Sequence, residues 1–479
     1  MEVLLRYSLR FKGVVEPTIF VMYRKFKFLG VMAALCVPWL PLQAQEDAVP
    51  VKGGAKAVEM VTGAVDADRR VLPMEEVVRR VREASPAALI ERETVRRALE
   101  QSYRRRAALL PQLSGRAEQS RRQLGRGFSG GSLDSPPFNS FDARIEASQV
   151  IFDADLYADY RLAKLEHAIA ELNYEVAIQD ILEQAIMLYF TQLRDIRRIE
   201  IVEGNIARER ELLQLAQEQF EAGTAVKIDV TRAEVRVARE RRALMEARTD
   251  AEDSLLQLKA LLDLPLDAPV LLDRSLIDGI NAPPSLKRYG SMETLTELRP
   301  ELEGRQRQVD QAILERKAAG WRRLPNVELF ADWGYDSDEP FDGREGEAWM
   351  LGVRATIPIF EGFRISAEKR EAQAAVRQNE QRLRQLRNRI EREFTFALTA
   401  MDSRYEQIEI ARDEIRLGRE EVEQARERYR EGLADNRELI DAQQRLAEAE
   451  DSHLRAIYLY GLSRLAFARA IGKTERVLE

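Results

Sequence analysis

Two periods of apolar and polar alternation run through this chain. From 143 to 151, Ala143, Ile145, Ala147, Gln149 and Ile151 alternate with Arg144, Glu146, Ser148 and Val150, the two-residue period of a strand whose faces meet different surroundings. The period returns where Val327, Leu329, Ala331, Trp333 and Tyr335 oppose Asn326, Glu328, Phe330, Asp332 and Gly334. It returns again where Trp349, Leu351, Val353, Ala355 and Ile357 oppose Met350, Gly352, Arg354 and Thr356. Residues 111–124 alternate more weakly, while the Gly-, Ser- and Pro-rich stretch 127–140 and the acidic stretch 336–346 read as loops. Strands at about 111–124 and 142–151, and at about 325–335 and 347–358, therefore make two hairpins.

The second period is helical. Asp155 to Phe220 and Arg364 to Arg430 contain no proline and one glycine each, Gly204 and Gly418. Apolar residues recur at steps of three and four, as in Leu162, Leu165, Ile169, Leu172 and Val176, beside a small-residue row of Ala163, Ala170 and Ala177. Lys164 and Glu171 occupy other faces. A stripe widened in this way suits helices packed laterally against two neighbours. At 1.5 Å per residue each rod spans roughly 100 Å, far more than one globular core needs. Each returns through a helix, about 226–262 and 436–471, after a turn at Gly223 or Gly432, where glycine ends a helix in the left-handed region. Met74–Arg82 and Pro86–Leu109 are predicted as shorter helices, the second with Ser85 as its cap and Pro86 at its first position.

The chain thus says one thing twice. Phe152 to Gly223 spans 71 positions and Phe360 to Gly432 spans 72. Six, ten and eleven residues after each glycine stand Asp229, Ala233 and Glu234 in one copy and Glu438, Ala442 and Gln443 in the other. Leu110-Pro111-Gln112-Leu113 and Leu324-Pro325-Asn326-Val327 precede the two strand hairpins. The expected organisation is a first repeat at 74–262 with its helical hairpin at 153–262, and a second at 298–471 with its helical hairpin at 362–471. Segments 45–73, 263–297 and 472–479 flank and join them.

Composition narrows the class. With 32% charged residues and 7% aromatics the chain suits long solvated helices better than a compact enzyme. A net charge of −7 carries no nucleic-acid signal, and Arg104-Arg105-Arg106 reads as a solvated helix face. Met22 to Lys27, apolar Leu29 to Val37 and Leu42-Gln43-Ala44 have the form of a secretory signal cleaved after Ala44, with residues 1–21 an over-extended start. Loss of its six basic and two acidic residues takes the net charge from −7 to −11 and removes Cys36, so no disulfide is expected. Pro38 and Pro41 break the apolar stretch, which argues against a membrane-spanning anchor. His167 and His453, the two histidines, fall in mid-helix without a cysteine or carboxylate cluster. No metal, cofactor or enzymatic site is expected.

Strands with one apolar and one polar face, behind a secretory signal, suit an outer membrane. Four of them cannot close, because lipid leaves no edge unpaired and the smallest membrane barrels use about eight strands. Several copies must share one barrel, with eight strands from two, twelve from three or sixteen from four, and the helices then form a tube continuing from it. A periplasmic adaptor or a structural coiled-coil protein of the envelope is the rival reading, but an adaptor would show one helical hairpin between β-domains. A pore-forming toxin is the more distant rival.

Over nearly all its mature length the chain resembles the TolC-like outer-membrane efflux family. The resemblance rests on the twofold repeat, Leu110-Pro111-Gln112-Leu113, Pro358-Ile359-Phe360-Glu361-Gly362, Tyr429-Arg430-Glu431-Gly432-Leu433 and Glu438-Leu439-Ile440-Asp441-Ala442-Gln443. It implies a mainly α fold with a membrane β-barrel part: a homotrimer with a twelve-stranded barrel in outer-membrane lipid, a twelve-helix periplasmic tunnel and a mixed equatorial region drawn from 45–73, 264–297 and 472–479. It also implies a periplasmic adaptor (membrane fusion protein) at the helical tips and an inner-membrane pump of RND, ABC or MFS type.

Glu438 and Asp441 lie three residues apart on one face of the returning helix, and in a threefold assembly they would stack as two carboxylate rings that favour cations. Family acids at these positions line the closed entrance. Tyr429 and Asp229 match family positions that link the two hairpins in the closed state. Ala222, Gly223, Thr224, Gly432 and Leu433 are the expected adaptor-docking tips. Where the family often has a basic residue two after the tip glycine, this chain has Ala434, with Arg437 as a candidate substitute. The cargo is not written in these residues.

Overall fold

The computed structural model describes residues 70–123, 137–274, 299–338, 346–431, 433 and 436–476. The expected signal, the loop at 124–136, residues 275–298 of the joining segment, Gly432, Ala434 and the last three residues lie outside them.

Alternation at 112–122, 138–152, 326–337 and 346–356 yields four strands, β2 (Gln112–Arg122), β3 (Phe138–Phe152), β5 (Asn326–Ser337) and β6 (Gly346–Thr356). They form one antiparallel sheet in the order β2-β3-β5-β6. Register keeps unlike residues on opposite faces. One face carries the rows Leu113–Ala147–Ala331–Leu351 and Gly115–Ile145–Trp333–Trp349. The other carries Ser114–Glu146–Asp332–Met350 and Glu118–Asp142–Asp336–Gly346. The apolar face is bare: Leu113 is 74% exposed, Trp349 72% and Val353 66%. A groove runs along the polar face, lined by Arg116, Glu118, Asp142, Arg144, Asp332 and Arg354, among others.

Arg144 fastens the middle of that face. Its guanidinium meets Asp142 at 2.5 Å, Asp332 at 3.0 Å and Asp336 at 2.9 Å, tying β3 to β5. The stem of Arg144 passes over its register partner Gly334, where a Cβ would lie 2.6 Å from the Arg144 Cγ and 2.3 Å from the Ala143 carbonyl oxygen. At Gly352 a Cβ would lie 2.6 Å from the Phe330 ring, which fills that space and stacks under Arg354 at 4.8 Å.

The helices are α1 (Met74–Glu83), α2 (Pro86–Ala107), α3 (Ala154–Glu221), α4 (Lys227–Leu261), α5 (Pro300–Trp321), α6 (Arg364–Arg430) and α7 (Asn436–Ala470). Their lengths match in pairs: α2 and α5 have 22 residues each, α3 and α6 have 68 and 67, and α4 and α7 have 35 each. Asp153 starts α3 by accepting hydrogen bonds from the Asp155 and Leu156 amides at 2.9 and 3.0 Å. Ser85 stands at the N-cap of α2 with Pro86 behind it, but its hydroxyl makes no capping bond and is buried, a correction to its expected role.

Along α3, α2 covers the half near the sheet, where Arg105 pairs with Asp159, and α4 covers the half near the tip, where Arg248 pairs with Glu203. Along α6, α5 and α7 divide the length in the same way. Helix α5 had no counterpart among the predicted elements.

The main core lies midway along the long helices. Leu182, Ile186 and Leu193 of α3, Leu258 of α4, Ile408 of α6 and Tyr460 of α7 are essentially buried there. Each such aliphatic side chain contributes about 1.5–3 kcal/mol relative to exposure. Two three-residue strands, β1 (Arg70–Leu72) and β4 (Val270–Leu272), pair in parallel beside it. Tyr189 holds both: its hydroxyl donates to the Leu72 carbonyl at 3.0 Å and accepts from the Asp273 amide at 2.9 Å. Burial pushes this hydroxyl up to about 12.

Candidate functional site

Each helical hairpin ends in a turn at the pole opposite the sheet. At the first, Gly223 adopts φ 75°, and the amides of Thr224 and Ala225 donate back to the Gln219 carbonyl at 2.9 and 3.2 Å. The Thr224 hydroxyl donates to the same carbonyl at 3.0 Å. These bonds satisfy the open end of α3 and leave Ala222, Gly223 and Thr224 exposed. Val226 and Ile228, exposed at 61% and 53%, extend the apolar character of the tip. At the second, the Leu433 amide donates to the Arg428 carbonyl at 2.9 Å, and the Leu433 side chain is 67% exposed.

A small core steadies the second tip, formed by Leu212 of α3, Val422, Ala425 and Tyr429 of α6, and Leu439, Ile440, Ala442 and Leu446 of α7. With Leu439, Ile440 and Ala442 turned inward, Glu438 and Asp441 are left on the solvent face of the first turns of α7. Glu438 accepts an ion pair from Arg428 at 3.1 Å. Asp441 lies near Arg445, whose guanidinium Glu421 holds at 2.5 Å. Sequence reasoning looked to Arg437 for the basic partner of this site. Arg428, across the turn, supplies one such partner, which no local spacing marks.

Tyr429 and Asp229 share a neighbourhood without a hydrogen bond. The Tyr429 hydroxyl is buried and unpartnered, and burial first, then the Asp229 charge, pushes it above the ordinary phenol range. Asp229 instead meets Arg232 at 3.4 Å. A further group joins them that sequence reasoning missed. Asn436, the first residue of α7, is 4% exposed, and neither its amide nitrogen nor its oxygen finds a partner. Two buried polar side chains without partners at one helical tip are costly at about 1–3 kcal/mol each, and mark a place where a rearrangement would gain bonds.

Neither histidine joins this site. His167 lies 3.9 Å from Glu171. His453 is half-buried with an unbonded Nε2, and burial, with help from Arg412 and Arg197, pushes it below the usual imidazole range. Among the described residues no three His, Cys, Asp or Glu side chains gather to hold a metal.

The model of the family described as "Outer membrane efflux protein" matches residues 78–263 and 292–473. Two proteins of Pseudomonas aeruginosa are similar: the alkaline protease secretion protein AprF, 26% identical over 281 residues, and the pyoverdine export outer membrane protein OpmQ, 26% identical over 269. The matches span 56% and 55% of this chain and 56% of each relative. The fold is similar to that of the Campylobacter jejuni CmeC outer membrane channel, with a TM-score of 0.72 and 19% identity over 84% of this chain and 86% of that one. Both halves of the sequence fit one family description, and the chain belongs to the outer membrane efflux protein family.

Proposed function

We propose that three copies of this chain form the outer-membrane exit duct of a tripartite efflux or type I secretion machine. Two tandem repeats per copy give twelve strands in one barrel and twelve helices in a tunnel continuous with it. The observation that carries the reading is the sheet. It is apolar on one face, polar on the other, and bounded by β2 and β6, each paired on one side only. A lipid-facing sheet tolerates no open edge, so β6 of one copy pairs with β2 of the next until the wall closes. The duct is passive. An inner-membrane pump supplies the energy, and an adaptor engages the exposed tips around Ala222–Thr224 and Leu433. The direct test is membrane fractionation with mass measurement of the detergent-solubilised protein and conductance in planar bilayers. A water-soluble monomer without conductance overturns the reading.

The entrance is closed by contacts weak enough for an adaptor to replace. On this reading Tyr429 donates to Asp229 in the closed trimer, a bond to a charged acceptor worth about 1.5–3 kcal/mol. The buried Tyr429 hydroxyl without a partner, and the Asp229 charge felt at it, support this reading. Tyr429→Phe and Asp229→Ala should each raise the conductance of the isolated trimer about tenfold at equal protein density. Conductance that matches the parent in both variants removes the latch.

A further inference from the structure

The two hairpins meet across a second polar cavity, above the tip core, that the gate does not use. It is lined by Asn205, Arg208 and Glu209 of α3, Arg236, Arg239 and Glu240 of α4, and Gln443, Gln444 and Ala447 of α7. Glu209 is 7% exposed. One of its oxygens accepts from Arg236 at 3.4 Å, while the other, Oε2, is buried and makes no hydrogen bond. From the α7 side Gln443 presents a buried Oε1 that likewise makes none. Two acceptors from different hairpins therefore line one cavity, and neither has a donor.

The surrounding charges do not supply one. Arg208 is taken by Asn205 and, at 2.6 Å, by Glu450 two turns further along α7. Arg236 is spent on the other oxygen of Glu209. With Arg208, Arg236 and Arg239 set against Glu209, Glu240 and Glu450, the charges around the cavity balance, which gives a metal cation little reason to enter. With the Gln443 amide oriented so that its oxygen faces the cavity, the smallest species that would satisfy both oxygens is a proton.

We propose that this cavity is a proton-operated joint, in which protonated Glu209 donates to Gln443 and clamps the first hairpin to the second. This rests on the gated-duct reading and adds to it a regulator. Deprotonated, the joint sets two acceptors against each other and lets α7 slide on α3. Protonated, it adds one hydrogen bond across the surface that must shear when the entrance dilates. Burial pushes the Glu209 carboxyl above its ordinary range, against the opposing pull of Arg236 and Arg208 and with the help of Glu240, so the switch falls at milder acidity than for a solvated glutamate. Acid closes the duct, and neutrality loosens it.

The experiment uses the full-length trimer in planar bilayers, carrying Glu438→Gln and Asp441→Asn so that the entrance acids do not titrate. Conductance is recorded from about pH 7.5 to about pH 5. The parent is expected to lose conductance on acidification, with the closed-to-open ratio rising about fivefold per joint, the equivalent of one net hydrogen bond. Glu209→Gln, which carries a permanent donor, should be low and flat across the range. Gln443→Leu, which lacks the acceptor, should be high and flat. Trimer formation by each variant is checked by mass, and either variant alone suffices. A parent response that survives in either variant overturns the joint, as does a parent without any pH response, the result expected if water bridges the two oxygens or if the Gln443 amide turns over and donates its N–H to Glu209. Absence of channels in the parent would instead overturn the duct itself.

Discussion

Replacing Arg469 with Met lowers the thermal unfolding temperature by about 2–4 °C at neutral pH, and by less in acid, below the depressed titration of Glu301. Arg469 ends α7 and meets Asp180 at 2.6 Å, Glu301 at 2.8 Å and Glu183 at 3.6 Å, so one guanidinium gathers α3, α5 and α7. Arg299 completes the cluster by binding Glu301 at 3.0 Å and Glu393 of α6 at 3.2 Å. The arginine side chains are 13% and 6% exposed, but Asp180 is 58% exposed, which screens part of the interaction. A fully buried pair broken on one side costs about 3–5 kcal/mol, and with this exposure about 2–4 kcal/mol remains.

The pH dependence separates charge from packing. Burial acts to raise the Glu301 carboxyl, yet the Arg299 hydrogen bond and the charges of Arg469 and Arg299 outweigh it and hold it below the ordinary range. A carboxyl depressed in the folded state stabilises the fold above its unfolded value and loses that contribution as pH falls through the folded value. Below that window Glu301 is neutral, and the parent loses the part of its advantage over the Met variant that rests on that carboxylate. Unfolding temperatures that match at neutral pH, or differ equally at neutral pH and in acid, would sink this account.

What could be read from the chain follows from what each feature depends on. The strands announced themselves because the sheet places Ile145 and Trp333 on one face and Arg144 and Asp332 on the other, a local pattern repeated every second residue. The long helices were legible because proline is absent and apolar residues keep a steady step. Helix α5 was missed although Pro300 stands at its first position with Glu301 and Glu303 in its first turn, because it lacks a strongly one-sided apolar face. The β1–β4 pair was invisible for another reason. It joins Arg70 to Val270 across the intervening repeat, and what fastens it is the hydroxyl of Tyr189, distant in sequence from both.

The same distinction applies at the entrance. Glu438 and Asp441 were found because three residues along a helix is one face. Arg428 and Asn436 were not, since the first acts across a turn and the second is an amide whose importance lies in being buried without a partner. Periodicity exposes residues that answer to their own helix. It is silent on those that answer to another element.

Neutralising Glu438 and Asp441 together is expected to reduce the potassium-over-chloride permeability ratio of the trimer about tenfold and to abolish block by divalent cations. Both side chains are solvent-facing on one side of α7, and in the proposed trimer threefold symmetry would bring three of each to the axis. Like charges so placed raise the local concentration of cations over a distance of about 8 Å, the screening length at physiological salt, which a narrow entrance does not exceed. The two acids should not count equally. Glu438 is already paired with Arg428 at 3.1 Å, whereas the arginine near Asp441 is held by Glu421. Asp441→Asn should therefore cost more selectivity than Glu438→Gln, and Arg428→Ala should move the reversal potential the opposite way, toward stronger cation preference. Reversal potentials under a salt gradient decide the matter. A double variant that keeps the parent's value would place these carboxylates outside the conducting path, while a shift of the wrong sign for Arg428→Ala would show that the pair with Glu438 does not persist in the assembled trimer.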